Sequence, residues 1–224
     1  MSDLPERVAE VRARVVAAVQ RGGHAQSVRL VAVTKTYGPE AVEAVHACGV
    51  ADVGENRVQE ALDKQALVHA PVRWHLIGHL QRNKVKALEQ FALLHSLDSS
   101  RLADAVHEFG VRRGRPMDAL LQVNVVGEET KGGFALAEVE REAARLVACA
   151  GVRVVGVMTM APLDADESTL RRVFAGARCA LALVRGAGHP AMELSMGMSG
   201  DFEMAVEEGA TLVRLGTILF GERH

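Results

Sequence analysis

The sequence predicts an α/β protein built as a single (β/α)8 barrel of the TIM type. Short apolar runs rich in β-branched residues alternate with longer amphipathic stretches, the pattern of βα units around a parallel sheet. The runs number eight, and 224 residues lie within the range at which such a barrel forms one domain. One domain over residues 1–224 is the expectation, because no Pro/Gly/Ser tract divides the chain and it ends at GERH soon after the last strand, leaving no room for a second folded unit.

An opening helix is expected over 3–20, with Leu4, Val8, Val11, Val15 and Val19 on one face and Pro5 suited to a first turn. Strands follow at 29–34 (RLVAVT), 51–54 (ADVG), 73–77 (RWHLI), 93–97 (LLHSL), 119–124 (ALLQVN), 153–158 (RVVGVM), 191–196 (AMELSM) and 211–216 (TLVRLG). Seven linking helices fit near 39–48, 56–69, 82–90, 99–113, 135–149, 166–186 and 201–208, each with apolar positions three or four apart. A helix after the eighth strand is missing from the pattern, and the opening helix is expected to cover that gap. Nearly continuous apolar strands imply burial on both faces, and eight of them favour closure over an open sheet. The open doubly wound alternative usually carries GxGxxG or a P-loop after a strand, and neither occurs.

With 26 basic against 28 acidic residues and no Lys/Arg tract, the chain has no electrostatic footprint for nucleic acid. Acids and arginines interrupt the N-terminal MSDLPERVAEVRARVV, so it reads neither as a signal peptide nor as a membrane span, and a cytoplasmic location is expected. Cys48, Cys149 and Cys179 lie far apart in helix-like segments and read as reduced packing residues. No metal is expected: nine histidines include no HExxH pair, and His75 and His79, in RWHLIGHL, read as structural or surface groups at a strand end.

A barrel places its chemistry at the C-terminal ends of the strands, with phosphate expected after strands seven and eight. Ser195-Met196-Gly197-Met198-Ser199-Gly200 follows strand seven and opens a helix near Asp201; Gly216-Thr217 follows strand eight. Glycines admit an anion close to the backbone, N–H groups at a helix start point toward it, and Ser199 and Thr217 add hydroxyls. Each such bond to a charged group is worth about 1.5–3 kcal/mol. The local alternative is that Ser199 and Gly200 cap a helix and Gly216 ends a strand. Lys35 sits just past strand one in VAVTKTYGPE, where its amine can point into the mouth or remain a solvated strand-end group. Arg214 interrupts the apolar run of strand eight, either facing a ligand or turned outward to a helix carboxylate.

The segments VAVTKTYGPEAV, DVGENRVQEAL, WHLIGHLQRNKVK, LHSLD, LLQVNVVGEETKGGF, GVMTMAP, LSMGMSGDFEMAVEEGATLVRLGT and FGER, in that order along the chain, resemble the pyridoxal phosphate homeostasis protein family. The resemblance implies a fold-type III barrel similar to the N-terminal domain of alanine racemase, with pyridoxal 5'-phosphate (PLP) as cofactor and Lys35 in the Schiff-base position. It further implies Arg214 at the pyridine nitrogen, Ser199, Gly216 and Thr217 at the phosphate, and Asn56 and Met158 close to the ring. Asn56 has an equally good local account as a helix cap. The chain departs from the family pattern in carrying Tyr37-Gly38-Pro39 after the lysine, and Gly127-Glu128 and Gly132-Gly133 in the bridging segment. Tyr37, the sole tyrosine, reads as a packing or turn residue, with proton donation the alternative.

An arginine against the ring nitrogen leaves the ring a weaker electron sink, which disfavours transamination. A two-base racemase needs a second acid/base from a further domain. The leading expectation is therefore a PLP-binding homeostasis protein, not an enzyme, that buffers the cofactor or delivers it to PLP-dependent apo-enzymes. A low-activity amino-acid racemase is the alternative, and an imine-forming barrel enzyme acting on a phosphorylated metabolite is the third reading. Neither nucleic acid nor membrane is expected as a partner; a monomer is the expected state, a dimer the alternative.

Overall fold

Runs such as Arg29–Val33 and Val152–Met158 bury nearly every side chain, which only a sheet covered on both faces allows. In the computed structural model, which describes residues 3–128 and 131–221, that sheet closes on itself. Its strands are β1 (Arg29–Val33), β2 (Asp52–Glu55), β3 (Arg73–Leu76), β4 (Leu93–Leu97), β5 (Met117–Asn124), β6 (Phe134–Ala135), β7 (Val152–Met158), β8 (Glu193–Ser195) and β9 (Leu212–Leu215). All pairings are parallel in the order β4-β3-β2-β1-β9-β8-β7-β5, and β4 pairs with β5 to complete an eight-stranded barrel; β6 adds a short outer pairing to β5. The ring is uneven: β5 and β7 share six register pairs, β8 and β9 only Ser195↔Leu212. β1 joins β9 through Arg29↔Leu212 to Ala32↔Leu215, so the first strand closes against the last.

The outer helices are α1 (Leu4–Gly22), α2 (Pro39–Ala47), α3 (Val58–Gln65), α4 (Ser100–Arg112), α5 (Val139–Leu146), α6 (Glu167–Gly186), α7 (Phe202–Glu207) and α8 (Thr217–Phe220). Ser99 and Asp166 cap α4 and α6 by accepting the amides of Leu102 and Thr169. α1 buries Leu4, Val8, Val11, Val15 and Ala18 and packs against α7, α8 and α2, filling the gap in the helix ring. Arg14 and Arg21 tie it to Glu203 and Glu207 of α7.

Several expectations are corrected. A helix does follow the last strand, although α8 has only four residues. Arg82–Gln90 is a 3-10 helix: its buried residues Val85 and Leu88, and the buried Phe91 that caps its end, recur every third position, the spacing that three residues per turn stacks on one side. The helix expected over 56–69 spans only Val58–Gln65 with Arg57 at its N-cap, so Asn56 is not the cap. The helix expected over 135–149 is shortened by β6 and a 3-10 turn, Leu136–Glu138. Strand seven shrinks to Glu193–Ser195. Cys179 is exposed and is not a packing residue; all three cysteines are free. Residues 129–130 of the bridging segment and 222–224 of GERH lie outside the described residues.

The barrel interior is also less apolar than the strands suggested. Around an inner cluster of Val31, Leu93, Leu120, Met158 and Leu212 lie the buried polar groups His75, His95, Ser195 and Arg214. His75 is thus an interior residue, while His79 is exposed and bonds Asp98 at 2.8 Å. Among the described residues no helix is long and apolar enough to cross a membrane, and no group of three His, Cys, Asp or Glu side chains is placed to hold a metal ion.

Candidate functional site

A cavity of about 310 Å³ opens at the C-terminal ends of the strands, the end where barrels carry their chemistry. Of the seven expected site residues, Lys35, Asn56, Ser199, Arg214, Gly216 and Thr217 line it together. Met158 does not: it lies 1% exposed in the inner cluster, and Met160 takes the wall. Met160 lies two residues past Met158, just beyond the end of β7, and packs half-buried on the inner cluster. Val33 and Ile77, beside Lys35 and Asn56, supply apolar wall that the sequence reading did not single out.

Lys35 is held from beneath. Thr36 takes a left-handed φ of +67°, a strained conformation for a non-glycine residue, and its amide is bonded by Glu60. The preceding carbonyl, Thr34 O, accepts from Lys64 Nζ at 2.7 Å; Lys64 also bonds Glu55 Oε1 at 2.5 Å, which Thr34 Oγ1 reaches at 2.6 Å. Burial pushes the Glu55 carboxyl up, opposed by the Lys64 and Thr34 hydrogen bonds. Strained turn, buried ion pair and threonine together fix where the chain leaves β1. Tyr37 stacks on Phe220, ring centroids 4.6 Å apart, the packing role expected of it.

Arg214 points into the barrel, which decides against an outward ion pair. It is 4% exposed; Nη1 donates to Ser195 Oγ at 2.5 Å and Nη2 to Thr159 O at 2.9 Å. Burial pushes its guanidinium down to about 10, with the Asp201 carboxylate opposing, so it stays charged near neutral pH. Across the mouth, Ser199 Oγ accepts the amides of Gly216 at 3.4 Å and Ile218 at 3.2 Å, bringing the two glycine loops together. Gly197 makes the first of these turns at φ +92°, where a Cβ would also lie 2.6 Å from Ala205 Cβ. Asp201 braces the loop by accepting the Met198 amide at 2.6 Å.

The cavity therefore combines one amine, one buried guanidinium and a cluster of amides and hydroxyls, a donor set suited to a phosphorylated aldehyde with a hydrogen-bond acceptor in its ring. This arrangement defines a barrel of the alanine racemase N-terminal kind, and the family model for "Alanine racemase, N-terminal domain" matches residues 8–224. The chain is 40% identical over 222 residues to the pyridoxal phosphate homeostasis protein of Aquifex aeolicus, covering 97% of each chain. It is 35% identical over 232 residues to that of Escherichia coli, covering all of this chain and 98% of the relative. It belongs to the pyridoxal phosphate homeostasis protein family. Among solved structures it is similar to PipY of Synechococcus elongatus with PLP bound, at 37% identity and TM-score 0.86 over 97% of this chain and all of that one. Alanine racemase from Corynebacterium glutamicum, 18% identical with TM-score 0.76, shares the fold over 62% of its own length.

Proposed function

We propose that this protein binds PLP as a Schiff base on Lys35 and serves intracellular PLP homeostasis, holding the cofactor reversibly and releasing it to PLP-dependent apo-enzymes. The observation that carries the reading is the convergence of Lys35, Arg214 and the Ser199–Gly216–Thr217 cluster on one cavity. PLP, once bound, supplies an electrophilic aldehyde and a ring able to accept electrons. Lys35 provides the amine. Arg214 can only donate, so it would meet the ring nitrogen as a hydrogen-bond donor and leave it unprotonated. Ser199, Gly216 and Thr217 would hold the phosphate, and Val33, Ile77 and Met160 would exclude water from the ring. Lys35 and Arg214 are the titratable side chains among the described lining residues, which supports anchoring above turnover. The reading takes residues 1–224 as the working unit in the cytoplasm, acting as a monomer.

The test is reconstitution with PLP, borohydride reduction and peptide mass mapping. The expected result is a pyridoxyl label on Lys35 that is lost in Lys35→Ala; a label elsewhere, or none, would sink the assignment. Measuring α-deuterium exchange across a panel of amino acids on the same sample separates homeostasis, which predicts none, from racemase chemistry.

A further inference from the structure

Arg214 begins a hydrogen-bonded chain that crosses the barrel. Its Nη1 donates to Ser195 Oγ at 2.5 Å; His95 Nδ1 lies 2.9 Å from that same oxygen. His95 Nε2 is 2.9 Å from His75 Nδ1, and His75 Nε2 is 2.9 Å from Asp52 Oδ1. All five residues are buried, and they come from β9, β8, β4, β3 and β2. Because β4 and β8 are not neighbours in the ring, the His95–Ser195 bond spans its interior. At the far end Arg73 grips Asp52 through two bonds of 2.7 and 2.6 Å, and Arg29 Nη1 stands 3.7 Å away.

The direction of the chain follows from donor chemistry. Arginine only donates, so Ser195 Oγ accepts from it and offers its own proton to His95 Nδ1. A neutral His95 then carries its proton on Nε2 and donates to His75 Nδ1. His75 in turn donates from Nε2 to Asp52, which as a carboxylate only accepts. The opposite neutral tautomers would aim a lone pair of His75 at that carboxylate. Burial, and the charges of Arg214 and Arg29, hold His95 well below the usual histidine range. Burial pushes the Asp52 carboxyl up, yet the hydrogen bonds of His75 and Arg73 hold it below the usual carboxylate range.

We propose that Asp52, His75, His95 and Ser195 are positioning residues that act on the cavity through Arg214: a one-way chain that orients its guanidinium as a donor and ties its charge to a carboxylate at the opposite end of the barrel. The proposal rests on the PLP reading only for what Arg214 donates to.

The chain is tested first without cofactor. Long-range 1H–15N spectra of the 15N-labelled protein, assigned with His95→Gln and His75→Gln, are expected to show both imidazoles neutral with the proton on Nε2. A proton on Nδ1 of either ring, or a doubly protonated His75, would overturn the proposal. Asp52→Asn is expected to move the His95 ring and Arg214 Nε resonances, and Ser195→Ala to move Arg214 while leaving the His75 tautomer fixed by Asp52. Arg214 shifts no larger than in Leu93→Ala, an apolar inner-cluster control, would reduce the chain to packing and refute it. With PLP added, both variants are expected to shift the visible absorption maximum of the bound chromophore relative to wild type; an unmoved maximum also counts against the proposal. If wild type takes up no PLP, the functional reading fails while the tautomer and Arg214 arms still decide the chain.

Discussion

Replacing Lys64 with methionine keeps most of the side-chain volume and removes the charge that Glu55 faces. Lys64 is 4% exposed at its side chain and Glu55 0%, with 2.5 Å between Nζ and Oε1, so water cannot stand in for the lost partner. Removing one member of such a buried pair destabilises a protein by about 3–5 kcal/mol, chiefly because the remaining charge is uncompensated. Burial already raises the Glu55 carboxyl, and the loss of Lys64 raises it further. An acid whose folded pKa lies above its unfolded value binds the proton more tightly when folded, so stability is regained as pH falls through that folded value. Urea denaturation of wild type and Lys64→Met should therefore show a gap of about 3–5 kcal/mol at pH 8 that narrows by pH 5. Adding Glu55→Gln to the variant should recover part of the loss at pH 8. A gap under about 1 kcal/mol at pH 8, in the range of surface ion pairs, or one that widens toward pH 5, would refute the reasoning.

Three other outcomes follow from the geometry. His95 resists protonation when buried but not when unfolded, so its contribution is complete above the unfolded value near 6.5 and falls by up to about 1.4 kcal/mol per pH unit below it. His95→Gln should flatten the stability profile between pH 6.5 and 5, and parallel denaturation curves would contradict this. Gly78→Ala would place a Cβ 2.3 Å from the Asn56 carbonyl oxygen, so a loss of about 1–3 kcal/mol is expected, read by thermal unfolding; an unchanged Tm would show the two loops free to part. Ser199→Ala is expected to weaken PLP binding roughly tenfold or more, the equivalent of one hydrogen bond to a charged group, while leaving pyridoxal little affected. Equal losses for both ligands in equilibrium dialysis would place Ser199 away from the phosphate.

The barrel was legible because eight β-branched runs and their intervening helices repeat at intervals that chain periodicity records directly. Arg82–Gln90 was misread because Val85, Leu88 and Phe91 satisfy a three-residue spacing as well as a helical one. Lys35, Ser199, Gly216 and Thr217 could be placed from strand ends alone, since a closed parallel barrel carries these ends to one rim. The orientation of Arg214 could not, because strands buried on both faces have no polar side to set the phase. Met158 came from the family likeness, and alternation does not separate it from Met160, since counting in twos from Val154 through GVMTM offers both. Least visible were the buried polar pairs. Nothing local distinguishes Lys64 from a solvated helix lysine, or relates His95 to Ser195, a hundred positions away.

The closing of β1 against β9 has a consequence for synthesis. Lys35 follows the first strand of the ring, whereas Arg214, Gly216 and Thr217 belong to the last strand and the turn after it. Synthesis thus makes the amine well before the guanidinium and the second glycine loop appear. Until then Lys35 lacks the Gly216 and Thr217 that share its cavity, and an aldehyde meeting it would be held by a single reversible bond. On the proposed reading, loading is in this way postponed to the completed barrel, and chains lacking the last strand would compete poorly for PLP.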